Sequence, residues 1–243
     1  MIKLSFLEAW SFQEGRDALK VGTKLVTTKA IFWDNDGVLV DTERLFFRAT
    51  RETMAPIGVS LTQEQYVEAV LKSGRGVWHL AAEKGIPPAE IDRLREERDA
   101  LYSQLLRDES SVIAGVEETL IKLHGKFLMG IVTSSRRDHF ELIHRSSGLL
   151  DYFDFVLTSQ NYTRFKPDPE PYLLALKKSG FDAGECVVVE DSQRGLIAAR
   201  QAGIRCFVVP TELTEGSDFS GAYRVLHSVK ELATELLEKR GLA

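Results

Sequence analysis

The sequence predicts an α/β fold, a doubly wound parallel Rossmann-like sheet that carries a small inserted α-helical cap domain. Short apolar runs recur along the chain without alternating polar positions, as strands buried on both faces do. Helical patterns separate these runs, an alternation typical of a parallel sheet covered by helices. One long stretch, residues 42–109, has helical patterns and no convincing strand.

Five apolar runs are predicted to form the strands of the sheet. They are Ala30–Trp33, Phe127–Val132, Phe153–Leu157, Cys186–Val189 and Cys206–Val209. Between them, apolar residues at helical spacing predict amphipathic helices. Pro171 lies in the first turn of one such helix and Gly180 lies just past its end, which is the usual placement of these two residue types.

Four helices are predicted in the long stretch, and Pro and Gly residues separate them. They are Leu45–Met54, Gln63–Lys72, Val77–Lys84 and Ala89–Leu106. We therefore expect three parts: an N-terminal extension (1–26), a Rossmann-like core (27–41 plus 110–243) and a helical cap (42–109).

Composition excludes several classes of protein. The net charge of the 243-residue chain is -5, so no overall positive field favours a nucleic-acid partner. Cys186 and Cys206 are the only cysteines and do not form a CxxC pair, which argues against a zinc site or a disulfide framework. No apolar run approaches the roughly 20 residues that span a bilayer. We expect a cytoplasmic protein, a monomer or homodimer, with no membrane partner.

Acidic residues follow two of the predicted strands. Asp34 and Asp36 come directly after the first strand, and Glu190 and Asp191 end the fourth. In an open parallel sheet, the carboxyl ends of central strands form the ligand site. Carboxylates that converge there repel one another unless a cation lies between them, and hard oxygen ligands favour Mg²⁺. Taken singly, each residue has a simpler interpretation as a helix cap or Asx turn.

Hydroxyl and amine groups complete this predicted site. Thr133 and Ser134 follow the second strand, and Lys166 lies between the third and fourth. A metal, fixed hydroxyl donors, a point positive charge and a carboxylate nucleophile are the parts that phosphoryl transfer requires. The sequence therefore predicts a site for a small phosphorylated metabolite.

Four segments of the chain resemble motifs of the haloacid dehalogenase-like hydrolases. Phe32–Glu43, which reads FWDNDGVLVDTE, is similar to the signature loop of that family, and three further segments resemble its other motifs in the same order. These are Val132–Ser135, Lys166–Pro169 and Val189–Ser192. Within the family, the chain looks most like the group that contains β-phosphoglucomutase, phosphoglycolate phosphatase and sugar-phosphate phosphatases.

This resemblance implies catalytic and metal-binding roles. Asp34 would attack phosphorus and become an aspartyl-phosphate. Asp36 would protonate the leaving oxygen and then take a proton from the attacking water. The Asp34 side chain, the Asp36 backbone carbonyl and Asp191 would hold Mg²⁺. Glu190 would be a further ligand or a partner of the ligands.

The resemblance also implies how the substrate is bound. Thr133, with Ser134 beside it, would bind the phosphoryl group, and Lys166 would reduce its repulsion from Asp34. The helical stretch matches the cap of the family, which closes over the substrate. Arg75 and Glu43 are the cap residues that we expect to touch substrate.

Two alternatives remain at this stage. Sugar phosphomutases of the group carry a histidine shortly after the Asp-Thr pair, where this chain has Phe46, which favours a phosphatase. A non-catalytic regulatory protein would have lost at least one catalytic residue, and the set here is intact. Asn35 departs from the large apolar residue that relatives usually carry between the two aspartates.

Overall fold

The computed structural model describes residues 27–238 of the chain. Its centre is a six-stranded, fully parallel sheet with the strand order β3-β2-β1-β4-β5-β6. The strands are β1 Ala30–Trp33, β2 Leu128–Val132, β3 Phe155–Leu157, β4 Cys186–Glu190, β5 Arg205–Val208 and β6 Arg224–Val225. The predicted fold class is confirmed, whereas the predicted N-terminal extension lies outside the described residues.

The central strand β1 explains why the apolar runs lack alternation. All four of its residues are fully buried, and its successive side chains enter two different hydrophobic cores. Ile31 and Trp33 pack on one face of the sheet, and Ala30 and Phe32 pack on the other. Because helices cover both faces, polar side chains are restricted to the strand ends. No helix within residues 27–238 is long and apolar enough to span a membrane.

Helices lie between and around the strands. The α-helices of the described residues are α1 Glu43–Met54, α2 Gln63–Tyr66, α3 His79–Glu83, α4 Pro88–Glu109, α5 Val116–Leu123, α6 Arg137–His144, α7 Glu170–Ser179, α8 Gln193–Gln201 and α9 Lys230–Glu238. Short 3₁₀ turns occur at Ala55–Ile57, Leu150–Tyr152, Ser159–Asn161 and Ala183–Glu185.

Two elements differ from the sequence-based expectation. The predicted helix Gln63–Lys72 is α-helical only to Tyr66 and continues as a π-helix over Val67–Lys72. Strand β6 was not expected, because its two residues, Arg224 and Val225, are both exposed and form no apolar run. An edge strand needs only backbone pairing on one side, so its side chains carry little signal.

The helical insert, residues 42–109, has a hydrophobic core of its own. Met54, Leu61, Tyr66 and Leu71 are among its buried members. The chain leaves and re-enters the sheet region at one place, since Val40 pairs with Val112 in an antiparallel bridge. The division of the chain into a cap and a core remains a prediction. The predicted boundaries lie next to this bridge between Val40 and Val112.

Candidate active site

The nucleophile predicted by the sequence, Asp34, follows β1 directly. Its backbone N–H donates to the carbonyl of Val189 at 2.9 Å, so the residue stays aligned with the sheet edge. Its side chain is almost entirely buried and accepts a hydrogen bond from Lys166 Nζ at 2.8 Å. Burial, followed by the charge of Glu190, raises the pKa of Asp34 to about 7 against the opposing effect of Lys166. A neighbouring cation would favour its ionised form.

Lys166 is a buried ammonium that connects two carboxylates. It is 2% exposed, and its Nζ lies 2.8 Å from Asp34 Oδ1 and 2.7 Å from Glu190 Oε1. It also donates to the carbonyl of Val132 at 2.9 Å, which ties it to the end of β2. Burial alone would lower the pKa of Lys166, but the charges of Asp34 and Glu190 outweigh burial and raise it. The site therefore retains a fixed positive charge.

Glu190 uses both carboxylate oxygens for protein hydrogen bonds. Its Oε1 accepts from Lys166 and from the Tyr172 hydroxyl at 2.6 Å, and its Oε2 accepts from Ser192 Oγ at 3.1 Å. Burial opposes its ionisation, but Lys166 outweighs burial and lowers the pKa of Glu190. A carboxylate with this many partners is suited to orienting Lys166 rather than to binding a cation directly.

The helix that follows β4 must approach Glu190 very closely. A Cβ atom on Gly195, in the first turn of α8, would lie 1.9 Å from the carboxyl carbon of Glu190. Only glycine therefore permits this contact. Ser192 is the N-cap of α8, because its Oγ accepts from Gly195 N at 3.2 Å, and it donates to Glu190 as well. Ser192 therefore caps the helix and also contacts Glu190 at the site.

Asp191 supplies a carboxylate oxygen that no protein group satisfies. It is 2% exposed, and its buried Oδ2 has no hydrogen-bond partner among the described residues. Burial and then the charges of Glu190 and Asp34 raise the pKa of Asp191 well above its usual range. Gly37 lies against this oxygen, since a Cβ there would be 2.3 Å from it and φ is +81°.

Asp34, Glu190 and Asp191 could hold a metal ion, since one ligand atom from each lies within 4.8 Å of the others. The unsatisfied Asp191 oxygen and the all-oxygen donor set fit a hard divalent cation such as Mg²⁺. Because Glu190 is already engaged, Asp34 and Asp191 are the side chains best placed to bind it. Mutual repulsion among these carboxylates would be relieved by such a cation.

The carboxylate of Asp36 accepts hydrogen bonds from three hydroxyl groups. It accepts from Thr42 Oγ1 at 2.6 Å, from Ser135 Oγ at 2.7 Å and from Thr133 Oγ1 at 3.1 Å. Thr42 immediately precedes α1, so the carboxyl group is held partly by the end of the helical insert. The two aspartates of the loop therefore occupy different environments, which suits the acid and nucleophile roles predicted for them.

Thr133 and Ser134 stand at the end of β2, as predicted. Thr133 is fully buried, and besides donating to Asp36 its hydroxyl accepts from Ser135 N at 3.0 Å. The buried Ser134 Oγ has no hydrogen-bond partner among residues 27–238. The carbonyl of Thr133 accepts a hydrogen bond from Tyr162 OH at 2.6 Å, which holds the backbone that follows β2.

The two cap residues differ in where the structure places them. Glu43 is 9% exposed and accepts a hydrogen bond from the hydroxyl of Tyr66 in α2. Burial raises the pKa of Glu43, and the charge of Arg194 opposes this. Arg75 is exposed, and its Nε donates to Ser73 Oγ at 3.2 Å, so the structure does not bring it to the carboxylates. The adjacent Gly74 does reach the site, since a Cβ there would lie 2.7 Å from the Lys166 carbonyl oxygen.

Sequence reasoning missed Arg194, Tyr172, Tyr66 and Ser135. The guanidinium of Arg194 has its largest charge interactions with Glu43, Asp34 and Glu190. A signal for it was present, because a cation in the first turn of a helix opposes the helix dipole and is unusual there. The tyrosines gave no signal, since a buried tyrosine is ordinarily a packing residue and its hydroxyl partner depends on the fold.

Comparison with known proteins identifies the family. Residues 31–209 match the family model described as haloacid dehalogenase-like hydrolase. The chain belongs to this family. It is 31% identical over 217 residues to protein CbbY of Cereibacter sphaeroides, covering 84% of this chain and 94% of the relative. It is 32% identical over 203 residues to the phosphorylated carbohydrates phosphatase of Thermotoga maritima, covering 77% and 88%.

A solved structure extends this likeness to three dimensions. The crystal structure of CbbY from Rhodobacter sphaeroides with xylulose-(1,5)bisphosphate superposes with a TM-score of 0.72 and 27% identity, covering 85% of this chain and 96% of the other. These matches confirm the resemblance to the phosphoglucomutase and phosphatase group of the family. They also confirm the prediction of a phosphohydrolase of this type.

Proposed function

We propose that this hydrolase is a Mg²⁺-dependent phosphatase that cleaves a small phosphorylated carbohydrate through an aspartyl-phosphate on Asp34. The observation that carries the proposal is the position of Lys166 between Asp34 and Glu190, 2.8 and 2.7 Å away, beside the unsatisfied Asp191. The arrangement supports the proposal, because it would give one edge of the sheet a nucleophile, a fixed positive charge and a carboxylate that can bind a cation. The substrates named for relatives support the carbohydrate class.

In the first step, an Asp34 carboxylate oxygen forms a bond to phosphorus while the bond to the ester oxygen breaks. The leaving alcohol takes a proton from Asp36, which is held near by Thr42, Thr133 and Ser135. In the second step, Asp36 takes a proton from water, whose oxygen bonds to phosphorus. The Asp34–phosphorus bond breaks, which releases phosphate and restores Asp34.

The other residues prepare the phosphoryl group for this displacement. Lys166 offsets the repulsion between the Asp34 carboxylate and the phosphate dianion, and Glu190 keeps its ammonium in place. Ser134 Oγ, which has no hydrogen-bond partner among the described residues, donates to a phosphoryl oxygen. Thr133 donates to another once its single hydroxyl proton turns from Asp36 towards the phosphoryl group. Asp34, Asp191 and the Asp36 carbonyl would hold Mg²⁺, which supplies charge neutralisation when bound.

A phosphomutase is less favoured than a phosphatase. Phe46, the residue aligned with the mutase histidine, packs edge-on against Tyr102 with ring centroids 5.1 Å apart. It has no polar atom with which to move Asp36 or a sugar hydroxyl. The complete set of catalytic groups speaks against a non-catalytic regulatory protein.

The proposal is tested with Asp34→Asn, which keeps the size of the side chain and removes the nucleophilic charge. Purified protein with Mg²⁺ and p-nitrophenyl phosphate should release phosphate, and the variant should lose essentially all of that activity. Asp92→Asn is the matched control, since Asp92 is exposed on α4 and pairs with Arg95 there. Near-normal turnover by Asp34→Asn would contradict the proposal, provided that circular dichroism shows both variants folded.

A cytoplasmic location and a monomeric or dimeric state remain predictions. Cys186 and Cys206 are both buried free thiols, which suits a reducing compartment. Size-exclusion chromatography with light scattering measures the oligomeric state directly.

A further inference from the structure

Arg194 is a cation of the site that the proposed mechanism does not use. It lies in the first turn of α8, three residues after Asp191, and it is partly buried. Its Nε is fully buried and has no hydrogen-bond partner among the described residues. A buried guanidinium N–H without a partner is rare and calls for a physical reason. The helix dipole gives none, because it disfavours a cation at this end of a helix.

The electrostatic surroundings of Arg194 place it inside the site. Its charge interactions are with Glu43, then Asp34 and Glu190, and it also acts on Asp191. Within residues 27–238, none of these carboxylates comes within 4.0 Å of the guanidinium to form an ion pair. Arg194 on α8 and Glu43 on α1 therefore interact through their charges without forming a direct ion pair.

This pair offers one strong donor and one strong acceptor. A neutral hydroxyl group can satisfy both, because its oxygen accepts from guanidinium N–H groups and its proton is donated to the Glu43 carboxylate. A second anionic group would satisfy Arg194 but would lie beside Glu43.

We propose that Arg194 is a specificity-determining residue that binds, together with Glu43, a hydroxyl group on the leaving alcohol of the substrate. The substrate class is then a sugar or polyol monophosphate, favoured over simple aryl phosphates and over bisphosphates. This inference rests on the proposed phosphatase function. The solved CbbY relative binds a bisphosphate, whereas this chain is expected to prefer a substrate with a single phosphoryl group. A comparison of monophosphates with a bisphosphate therefore tests the proposal.

The test measures discrimination rather than activity alone. The full chain is assayed with Mg²⁺ on glucose 6-phosphate, fructose 1-phosphate, sorbitol 6-phosphate, fructose 1,6-bisphosphate and p-nitrophenyl phosphate. We expect the best hexose monophosphate to have the highest kcat/KM. Arg194→Lys keeps the charge but loses the planar pair of donors, so it should lower the kcat/KM ratio of that monophosphate to p-nitrophenyl phosphate about tenfold or more. Most of the loss should be in KM.

A second variant separates binding from a structural role. Because Arg194 and Glu43 bind one hydroxyl, the effects of Arg194→Lys and Glu43→Gln on this ratio should be clearly less than additive. Arg200→Lys is the matched control, since Arg200 is exposed and lies on the same helix, and it should leave the ratio unchanged.

Several outcomes would overturn the inference. One is a ratio that Arg194→Lys leaves unchanged, and another is fully additive effects of the two substitutions. A preference for fructose 1,6-bisphosphate that disappears in Arg194→Lys would instead assign Arg194 to a second phosphate. If p-nitrophenyl phosphate is hydrolysed and no sugar phosphate is favoured over it, this inference fails while the phosphatase proposal stands. If nothing is hydrolysed, the phosphatase proposal itself fails.

Discussion

The imidazole Nε2 of His144 lies 2.7 Å from the side-chain oxygen of Asn35, so the residue between Asp34 and Asp36 is hydrogen-bonded to helix α6. Both residues are buried, and His144 Nδ1 is 2.9 Å from Ser147 Oγ. A buried amide needs hydrogen-bond partners, and His144 supplies one to the Asn35 oxygen, whereas Asn35 Nδ2 has no partner among the described residues. The pair also has a consequence for stability.

Burial lowers the pKa of His144 to about 4, against the weaker opposing effect of Asp36. The folded protein therefore favours the neutral ring, and protonation of the unfolded chain begins near the ordinary pKa of about 6.5. The stabilisation is complete above that pH and is lost as pH falls from about 6.5 to about 4, by about 3 kcal/mol at most. Urea unfolding at several pH values should show a shallower loss for His144→Gln. His227→Gln removes an exposed imidazole and should follow the unmodified protein.

Asp36→Asn should affect the two chemical steps differently for different substrates. With a sugar phosphate, loss of the proton donor should reduce turnover by roughly 10²–10⁴-fold. With p-nitrophenyl phosphate the leaving group needs no proton, so the first step should persist while hydrolysis of the aspartyl-phosphate slows. Rapid mixing should then show a burst of p-nitrophenolate followed by a slow phase. Equal losses on both substrates, without a burst, would argue against the acid–base role.

Under the proposed function, Mg²⁺ should stabilise the protein as well as activate it, since it would bind the folded site and not the unfolded chain. The melting temperature should rise with Mg²⁺ concentration, and chelation by EDTA should remove both this rise and the activity. Asp191→Asn removes the unsatisfied carboxylate, so its melting temperature should respond little to Mg²⁺. If Asp191→Asn retained the full Mg²⁺ response, the cation would have to bind elsewhere.

Gly195→Ala should disturb the site without touching a catalytic atom. The new methyl group would overlap the Glu190 carboxylate, and overpacking of this kind costs about 1–3 kcal/mol. Displacement of Glu190 would also release Lys166, so kcat should fall together with stability. Gly216→Ala adds the same methyl group where nothing lies within 4 Å and should change neither quantity measurably. Thermal unfolding and phosphate release provide the two measurements.

Much of the fold could be predicted because its determinants are local. The run Ala30–Trp33 is apolar throughout, and it is the central strand with those same bounds. Strand β6 could not be predicted, because its exposed residues are selected by backbone pairing rather than by burial. The change from α-helix to π-helix after Tyr66 likewise depends on packing that sequence periodicity does not record.

The site was predictable to the extent that its chemistry sits at strand ends. Asp34, Asp36, Thr133 and Lys166 are each ordinary loop residues, but their segments follow predicted strands in the order of the family motifs. The sequence did not show that Glu190, the last residue of β4, and Asp191, which follows it, would have different partners. Glu190 is saturated by Lys166, Tyr172 and Ser192, while Asp191 is left unsatisfied, and this difference arises only when distant segments meet.

Gly74 touches the backbone of Lys166 so closely that no larger residue fits between them. The helical insert thus packs directly against the segment that carries Lys166. Under the proposed function, the tightness of this contact would decide whether water or a second alcohol reaches the phosphorylated aspartate. A side chain at position 74 would force the insert and the Lys166 segment apart. The fraction of phosphoryl groups transferred to an added acceptor such as glycerol, rather than to water, would measure this separation.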